Sequence, residues 1–169
     1  ITDGYDFNSI VYGTPGSSGQ FVKLGTSTIT QSFVSPIENI SGIGISMGGE
    51  TADKDKVILK LDSIPYDKKF HRESSIDKIT DQQLNEFVFE QIIENVKGEK
   101  FVLTIESEQK NNDGLIVIFT HNKSEPYVLS PSEFEQTHMN FSINGITIPE
   151  KNTVFSLNNE NEEIPIIFR

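Results

Sequence analysis

Several residue types are missing or scarce in this chain of 169 residues. It has no cysteine and no tryptophan, and only 14 lysines and arginines stand against 25 aspartates and glutamates. The absence of cysteine excludes disulfides, thiolate metal sites and cysteine nucleophiles, so packing must stabilise the fold. The formal net charge of −11 argues against a nucleic-acid partner because a negative field repels polyanions.

Long apolar runs are also missing. No stretch approaches the roughly 18 apolar residues of a membrane span, and no charged-then-apolar leader opens the chain at Ile1. We expect a soluble domain cut from a longer protein, an origin compatible with attachment to a membrane protein. Its apolar content of 35% includes twelve phenylalanines, enough for a folded core.

The chain divides into two parts of unequal length. Residues 1–19 are rich in glycine, proline and serine towards their end, which predicts an irregular N-terminal arm. Residues 20–169 have the size and patterning of one β-sandwich domain.

Short apolar runs separated by turn-forming residues follow the arm, at the spacing typical of sandwich strands. Runs at 29–33, 43–47 and 101–105 alternate with a period of two, which predicts strands that bury one face. The run at 115–119 is apolar on both faces and predicts a central strand. The sequence therefore predicts an all-β fold of two antiparallel sheets, a sandwich of the jelly-roll type.

One hairpin stands out locally. Asn144-Gly145 lies between two alternating runs, which predicts a type I′ turn that pairs Ile143 with Ile146. The apolar residues of both runs then share one face: Phe141, Ile143, Ile146 and Ile148.

Residues 81–97 fit two structures. A capping-box pattern at Thr80–Gln83 and apolar residues at helical spacing favour a helix that Gly98 closes. The alternative is a strand with Phe87 and Phe89 facing inward, a turn at residues 95–98, and a partner strand from Phe101 onward. The local pattern leaves both open.

Five segments, in this order, resemble galactose-binding-like β-sandwich domains found outside bacterial membranes, some of them attached to polytopic membrane proteins. The resemblance covers roughly residues 28–120, implies a scaffold, a carbohydrate-binding module and an extracytoplasmic setting, and favours a strand at residues 86–91. The segments are Gln31-Ser-Phe33, Asn39-Ile-Ser-Gly-Ile-Gly-Ile45, Val57-Ile-Leu-Lys-Leu61, Phe87-Val-Phe89 and Asn95-Val-Lys-Gly-Glu-Lys-Phe-Val-Leu-Thr-Ile105.

Residues with flat faces or planar donors are candidates for sugar binding, because rings stack on sugars and planar groups bind hydroxyls. The alternative is that Tyr66 and Tyr127, each beside a proline, are half-buried structural residues and that the histidines lie at the surface or at strand edges. The candidates are Tyr66, His71, Arg72, His121 and Tyr127.

Two oxygen-rich segments, 48–55 and 111–114, carry the ligand type that calcium prefers, and each is also a good turn. They make Asp53, Asp55 and Asp113 candidate ligands of a structural calcium ion.

No catalytic motif is present, so we expect a non-catalytic, extracytoplasmic binding or accessory module with carbohydrate as the leading ligand class. A structural or protein-interaction domain of a surface, appendage or virion protein is the alternative. A lectin-like hydrolase with two opposed carboxylates is a weaker one.

Overall fold

The computed structural model describes residues 6–7, 9–12, 20–52, 54–64, 70–110, 115–122, 139–159 and 164–165. None of these residues is helical, and their strand pairs are antiparallel. In chain order the strands are β1 (Asp6–Phe7), β2 (Ser9–Tyr12), β3 (Phe21–Lys23), β4 (Ile29–Val34), β5 (Ile40–Gly48), β6 (Val57–Ile64), β7 (His71–Ile76), β8 (Gln83–Ile93), β9 (Lys100–Ser107), β10 (Val117–Asn122), β11 (Asn140–Ile143), β12 (Ile146–Thr147), β13 (Lys151–Thr153), β14 (Phe155–Asn158) and β15 (Ile164–Pro165).

The described strands form two large sheets and one short pair, β1 with β15. The six-stranded sheet has the order β12–β11–β4–β9–β6–β7. In the seven-stranded sheet, β13, β10, β5, β14 and β2 follow one another, β3 joins β10, and β8 joins β5. The two sheets enclose one apolar core, so the predicted two-sheet antiparallel β-sandwich is confirmed, and its connections are compatible with a jelly roll.

Alternation along the strands builds this core. In β6 and β9, and in β4 as far as Phe33, every second side chain is buried and its neighbours are half-buried or exposed. Phenylalanines fill the space between the sheets: Phe33 stacks on Phe101 at 5.7 Å and meets Phe155 of the other sheet at 5.5 Å. Each such side chain contributes about 1.5–3 kcal/mol when it is fully buried.

A buried amide links the two sheets. Gln31 of β4 is fully buried, and its Oε1 accepts hydrogen bonds from Thr153 N (2.8 Å) and Thr153 Oγ1 (2.7 Å) on β13. Its Nε2 donates to Asn152 Oδ1 (3.0 Å) and to Ser32 O (3.1 Å). All four hydrogen-bonding positions of the amide are thus used, which offsets the cost of burying it.

The prediction of an irregular arm over residues 1–19 is wrong where strands β1 and β2 lie. β2 pairs with β14, and the buried Tyr12 ring stacks on Phe155 at 4.8 Å. Apart from Gly4, the glycines and the proline of that segment come after Tyr12, and residues 13–19 lie outside the described residues.

The strand alternative for residues 81–97 is confirmed, because β8 runs through Gln83–Ile93 with Phe87 and Phe89 buried. Positive φ angles at Gln82 (59°) and Asn95 (60°) interrupt the extended backbone conformation on either side of the strand. The expected pairing with the strand from Phe101 is wrong. β8 pairs with β5, while β9 pairs with β4 and β6 in the other sheet, so the turn at 95–98 crosses between sheets.

Two other local predictions are confirmed. The run at 115–119 leads into β10, which has β3 on one edge and β5 and β13 on the other. Ile143 pairs with Ile146, and φ is 51° at Asn144 and 82° at Gly145, as a type I′ turn requires. Asn144 also binds Thr28 twice: its N donates to Thr28 O (2.8 Å), and its Oδ1 accepts from Thr28 N (2.9 Å).

We expect Gly145→Val to lower the free energy of unfolding by about 1 kcal/mol or more, because a β-branched residue is strained at positive φ. A Cβ at Gly145 would meet no atom within 4 Å, so the cost comes from the backbone alone. Urea denaturation measures it. Ile146→Val, at the exposed neighbouring position, is the control, and equal midpoints for both variants would contradict the tight turn.

Candidate functional site

A shallow polar groove of about 470 Å³ lies where the edges of the two sheets meet. One wall comes from β7, the edge of the six-stranded sheet, and the other from β8, whose only described partner is β5. The lining residues are His71, Arg72, Glu73, Ser74, Ser75, Val88, Glu90 and Gln91. The groove therefore exists because two edge strands approach each other without pairing.

Arg72 spans this seam. It lies opposite the buried Leu61 of β6, so its side chain leaves β7 on the side that faces the other sheet. Its Nε donates to Gln91 O on β8 (2.9 Å) and its Nη1 to His71 O (2.9 Å). Within the described residues no hydrogen bond uses Nη2, so this nitrogen is available to a ligand in the groove.

His71 leaves β7 on the opposite side, towards solvent. It lies directly across from Asp62 of β6, and its Nδ1 is 2.5 Å from Asp62 Oδ1. The ring is half exposed. The carboxylate fixes the orientation of the ring on the outer side of β7, and His71 is also one of the residues that line the groove.

Two carboxylates give the groove hydrogen-bond acceptors. Glu73 and Glu90 are exposed, and among the described residues neither takes part in an ion pair or a hydrogen bond. Val88 is 50% exposed and adds an apolar side chain to the same lining. Donors, acceptors and a small apolar surface thus line the same space.

The structure brings together two of the five predicted ligand-binding residues, His71 and Arg72. His121 lies on β10 of the other sheet and is only 3% exposed, with its Nδ1 3.2 Å from Asn122 O. It is separated from the groove and closed to solvent. Tyr66 and Tyr127 lie outside the described residues.

Sequence reasoning missed the rest of the groove. β7 reads His-Arg-Glu-Ser-Ser-Ile, which contains one apolar residue and no apolar alternation, so nothing marked it as a strand. Its half-buried positions, Arg72, Ser74 and Ile76, alternate with exposed ones. The strand alternates between exposed and half-buried positions, but polar residues occupy most positions of both kinds, so the sequence does not show the alternation.

Of the candidate calcium ligands, the structure describes Asp55 alone; Asp53 and Asp113 lie outside the described residues. Asp55 is 2% exposed, and its Oδ1 accepts from Lys56 N (2.8 Å) and Gln109 N (3.0 Å). Ser107 Oγ donates to Oδ2. Through these hydrogen bonds the Asp55 carboxylate joins the segment before β6 to the end of β9 and the turn after it. Its role is therefore structural.

The same contacts control the ionisation of Asp55. Burial raises the pKa of Asp55, but the hydrogen bonds from Ser107, Gln109 and Lys56 together outweigh burial and hold its pKa below the ordinary value. The charged form is therefore the one that the fold stabilises.

A search of the described residues found no group of three or more histidines, aspartates and glutamates arranged to hold a metal ion. In the same part of the chain no helix has the length and apolarity to cross a membrane. Comparisons with protein-family models, curated proteins and solved structures returned no match. The site must be interpreted from its own geometry.

We expect Asp55→Asn to lower the free energy of unfolding at pH 7 by about 1–3 kcal/mol, because the new amide group cannot accept from all three donors. A lowered pKa stabilises the fold above the pKa of the unfolded state, and this contribution is lost as the pH falls through the folded-state value. The difference between native protein and variant should therefore shrink between about pH 5 and pH 2. Denaturant titrations across this range measure it.

Asp77→Asn is the matched control, since Asp77 is an exposed aspartate. It should leave stability unchanged within about 0.5 kcal/mol. A loss for Asp55→Asn that is the same at pH 7 and pH 2 would show that shape, and not charge, is what the site requires.

Proposed function

We propose that this chain is a non-catalytic, extracytoplasmic binding module of the galactose-binding-like jelly-roll type, and that it binds a carbohydrate in the groove between β7 and β8. The observation that carries the proposal is the position of Arg72. Its guanidinium is held by Gln91 and His71 and still has Nη2 for a ligand.

The chemistry of the groove suits a polyhydroxylated ligand. A sugar hydroxyl both donates and accepts, so it needs donors and acceptors close together. Arg72 and the serine hydroxyls donate, while Glu73 and Glu90 accept, and all of them line the groove. Val88 can cover the apolar C–H side of a sugar ring.

Charge selects among carbohydrates. The chain has a net charge of −11, and the groove has two carboxylates beside a single guanidinium. Repulsion therefore disfavours uronic acids and sulfated or phosphorylated glycans. Neutral sugars are indifferent to this field, so the proposed ligand is neutral.

The extracytoplasmic setting and the galactose-binding-like type rest on the sequence resemblance over residues 28–120. The sandwich is compatible with that type at the level of architecture, because β5, β6, β8 and β9 of that region are the four longest described strands. The resemblance contains no catalytic residue, in keeping with a binding module.

We expect glycan-array screening to find neutral glycans that bind with affinities on the order of micromolar to millimolar, or about −8 to −4 kcal/mol. Arg72→Lys should weaken binding by about tenfold or more, since lysine keeps the charge but loses the planar fork of donors. Isothermal titration of each array hit measures the change.

Lys97→Arg, at an exposed position in the turn between β8 and β9, is the control for an exchange between lysine and arginine away from the groove. If Arg72→Lys binds as tightly as the native protein, the ligand does not occupy the groove. Tyr66→Ala and Tyr127→Ala test the two remaining predicted residues by the same titration; binding that both changes leave intact removes them from the site.

A structural or protein-interaction domain is the second candidate, and the exposed apolar residues beside β3 favour it. Among the described strands β3 pairs with β10 alone, Phe21 on it is 49% exposed, and Leu115 just before β10 is 73% exposed. Open edges with exposed apolar side chains are typical of association surfaces.

For this second candidate we expect concentration-dependent self-association in sedimentation velocity, lost in Phe21→Ser because the apolar contact is removed. Ile64→Ser, which changes an exposed residue on the other sheet, is the control. A monomer at all concentrations would contradict self-association through β3.

A further inference from the structure

Strand β3 has one open edge, because among the described strands it pairs with β10 alone. Leu24 N donates to Ile116 O (3.0 Å), which continues the ladder of β3 with β10 and shows which residues face that strand. In an antiparallel ladder the backbone groups of successive residues point to alternate sides. The N–H and C=O groups of Phe21 and Lys23 therefore point away from β10, to the open edge.

The side chains at this edge are apolar or positively charged. Phe21 and Lys23 are exposed on the outer face, while Val22 between them packs against the core. The Phe21 ring is 49% exposed and meets Phe119 edge-on at 6.5 Å, which fixes its position. β3 has no carboxylate, whereas the edge strands β7 and β8 contain glutamates. In a chain with a net charge of −11, a second copy meets less repulsion here.

An apolar cleft of about 410 Å³ lies at the Lys23 end of the open edge, with Leu115 and Val117 in its lining. Leu115 is 73% exposed, but its backbone is fixed. Its N donates to Glu50 O (3.3 Å), and Gly49 packs so closely that a Cβ there would lie 1.6 Å from Leu115 O. The cleft therefore has a rigid apolar rim.

We propose that two copies of this chain pair β3 with β3, antiparallel, about a twofold axis at Val22, and so join their seven-stranded sheets into one continuous sheet. Identical strands that pair antiparallel form an isologous contact, the commonest arrangement in homodimers. The inference rests on the second candidate function, self-association through β3, and specifies its geometry.

The alternation of backbone groups determines the register. Only Phe21 and Lys23 have N–H and C=O groups on the open edge, so these residues must face each other across the axis. The register that uses all of them places Phe21 opposite Lys23 of the partner subunit, and Val22 opposite Val22 of the partner subunit. A register that placed Lys23 opposite its own copy would lose half of these hydrogen bonds and oppose two like charges.

The side chains of this register are complementary. Each Phe21 ring lies beside the ammonium group of the partner's Lys23, which favours a cation–π contact. Because Lys23 also lines the cleft, the partner's Phe21 lies at the mouth of that cleft. The contact thus covers the apolar surface that the single chain leaves exposed beside β3.

Charge variants test the contact in sedimentation velocity. Two strands of three residues form a contact smaller than a standard interface, so we expect a dissociation constant on the order of 10 to 100 μM. Lys23→Glu should raise it by about tenfold or more, because a carboxylate replaces the cation beside the ring. Lys97→Glu, at an exposed position, changes the net charge equally and should stay within about twofold of the native protein.

Introduced cysteines test the register, since the chain has none of its own. Val22→Cys places two thiols in a directly opposed pair whose Cα atoms are about 4.5 Å apart, within reach of a disulfide. We expect mild oxidation to give a covalent dimer on non-reducing gels. Lys23→Cys should not cross-link, because its two copies lie about 7–8 Å apart. Ile146→Cys, exposed on the other sheet, controls for random collision.

The outcomes separate the geometry from the function on which it rests, once circular dichroism has verified that each variant is folded. Self-association without a cross-link at position 22, or with a stronger cross-link at position 23, overturns the register and leaves the second candidate function standing. Equal dissociation constants for Lys23→Glu and Lys97→Glu overturn the contact between Phe21 and Lys23. A native protein that is monomeric at all concentrations overturns the second candidate function and this dimer together.

Discussion

Successive side chains of a β-strand point to opposite faces, and this constraint determines where everything else in the molecule can lie. In β4, β6 and β9, the side chains of Ile29, Leu59 and Leu103 lie between the sheets, so the residues next to them in each strand face outward. A shift of one residue in these strands would turn outward-facing threonine, lysine and glutamate side chains towards the core. The polar outer face is therefore held in place by the same burial that stabilises the fold.

Two polar links join the sheets, and they differ in their access to water. Gln31 on β4, an interior strand between β11 and β9, is fully buried and uses every hydrogen-bonding position of its amide to reach β13. Arg72 on the edge strand β7 reaches a β8 carbonyl. The first link is closed and structural. The second is open to solvent, and this difference is why a groove occurs at one seam of the molecule.

Local chemistry decided how far the sequence could be interpreted. The type I′ turn was predictable because Asn144-Gly145 determines its own backbone angles, and the apolar strands were predictable from their alternation. β7 was not, because its polar residues show no periodicity, and the partner of β8 was not, because pairing across about 40 residues leaves no local trace. His71 and Arg72 were predicted from their residue types. The groove was not predictable, because it exists only where two edge strands from different sheets meet.

The double hydrogen bond between Asn144 and Thr28 also bears on how the protein ages chemically. In a flexible chain the nitrogen of glycine attacks the side-chain carbonyl of a preceding asparagine, ammonia leaves, and the resulting succinimide hydrolyses to aspartate or isoaspartate. Here that carbonyl oxygen accepts from Thr28 N (2.9 Å), and the asparagine backbone continues the ladder of β11 with β4. Ring closure must first break these contacts, so the lifetime of this asparagine is tied to the opening rate of the hairpin.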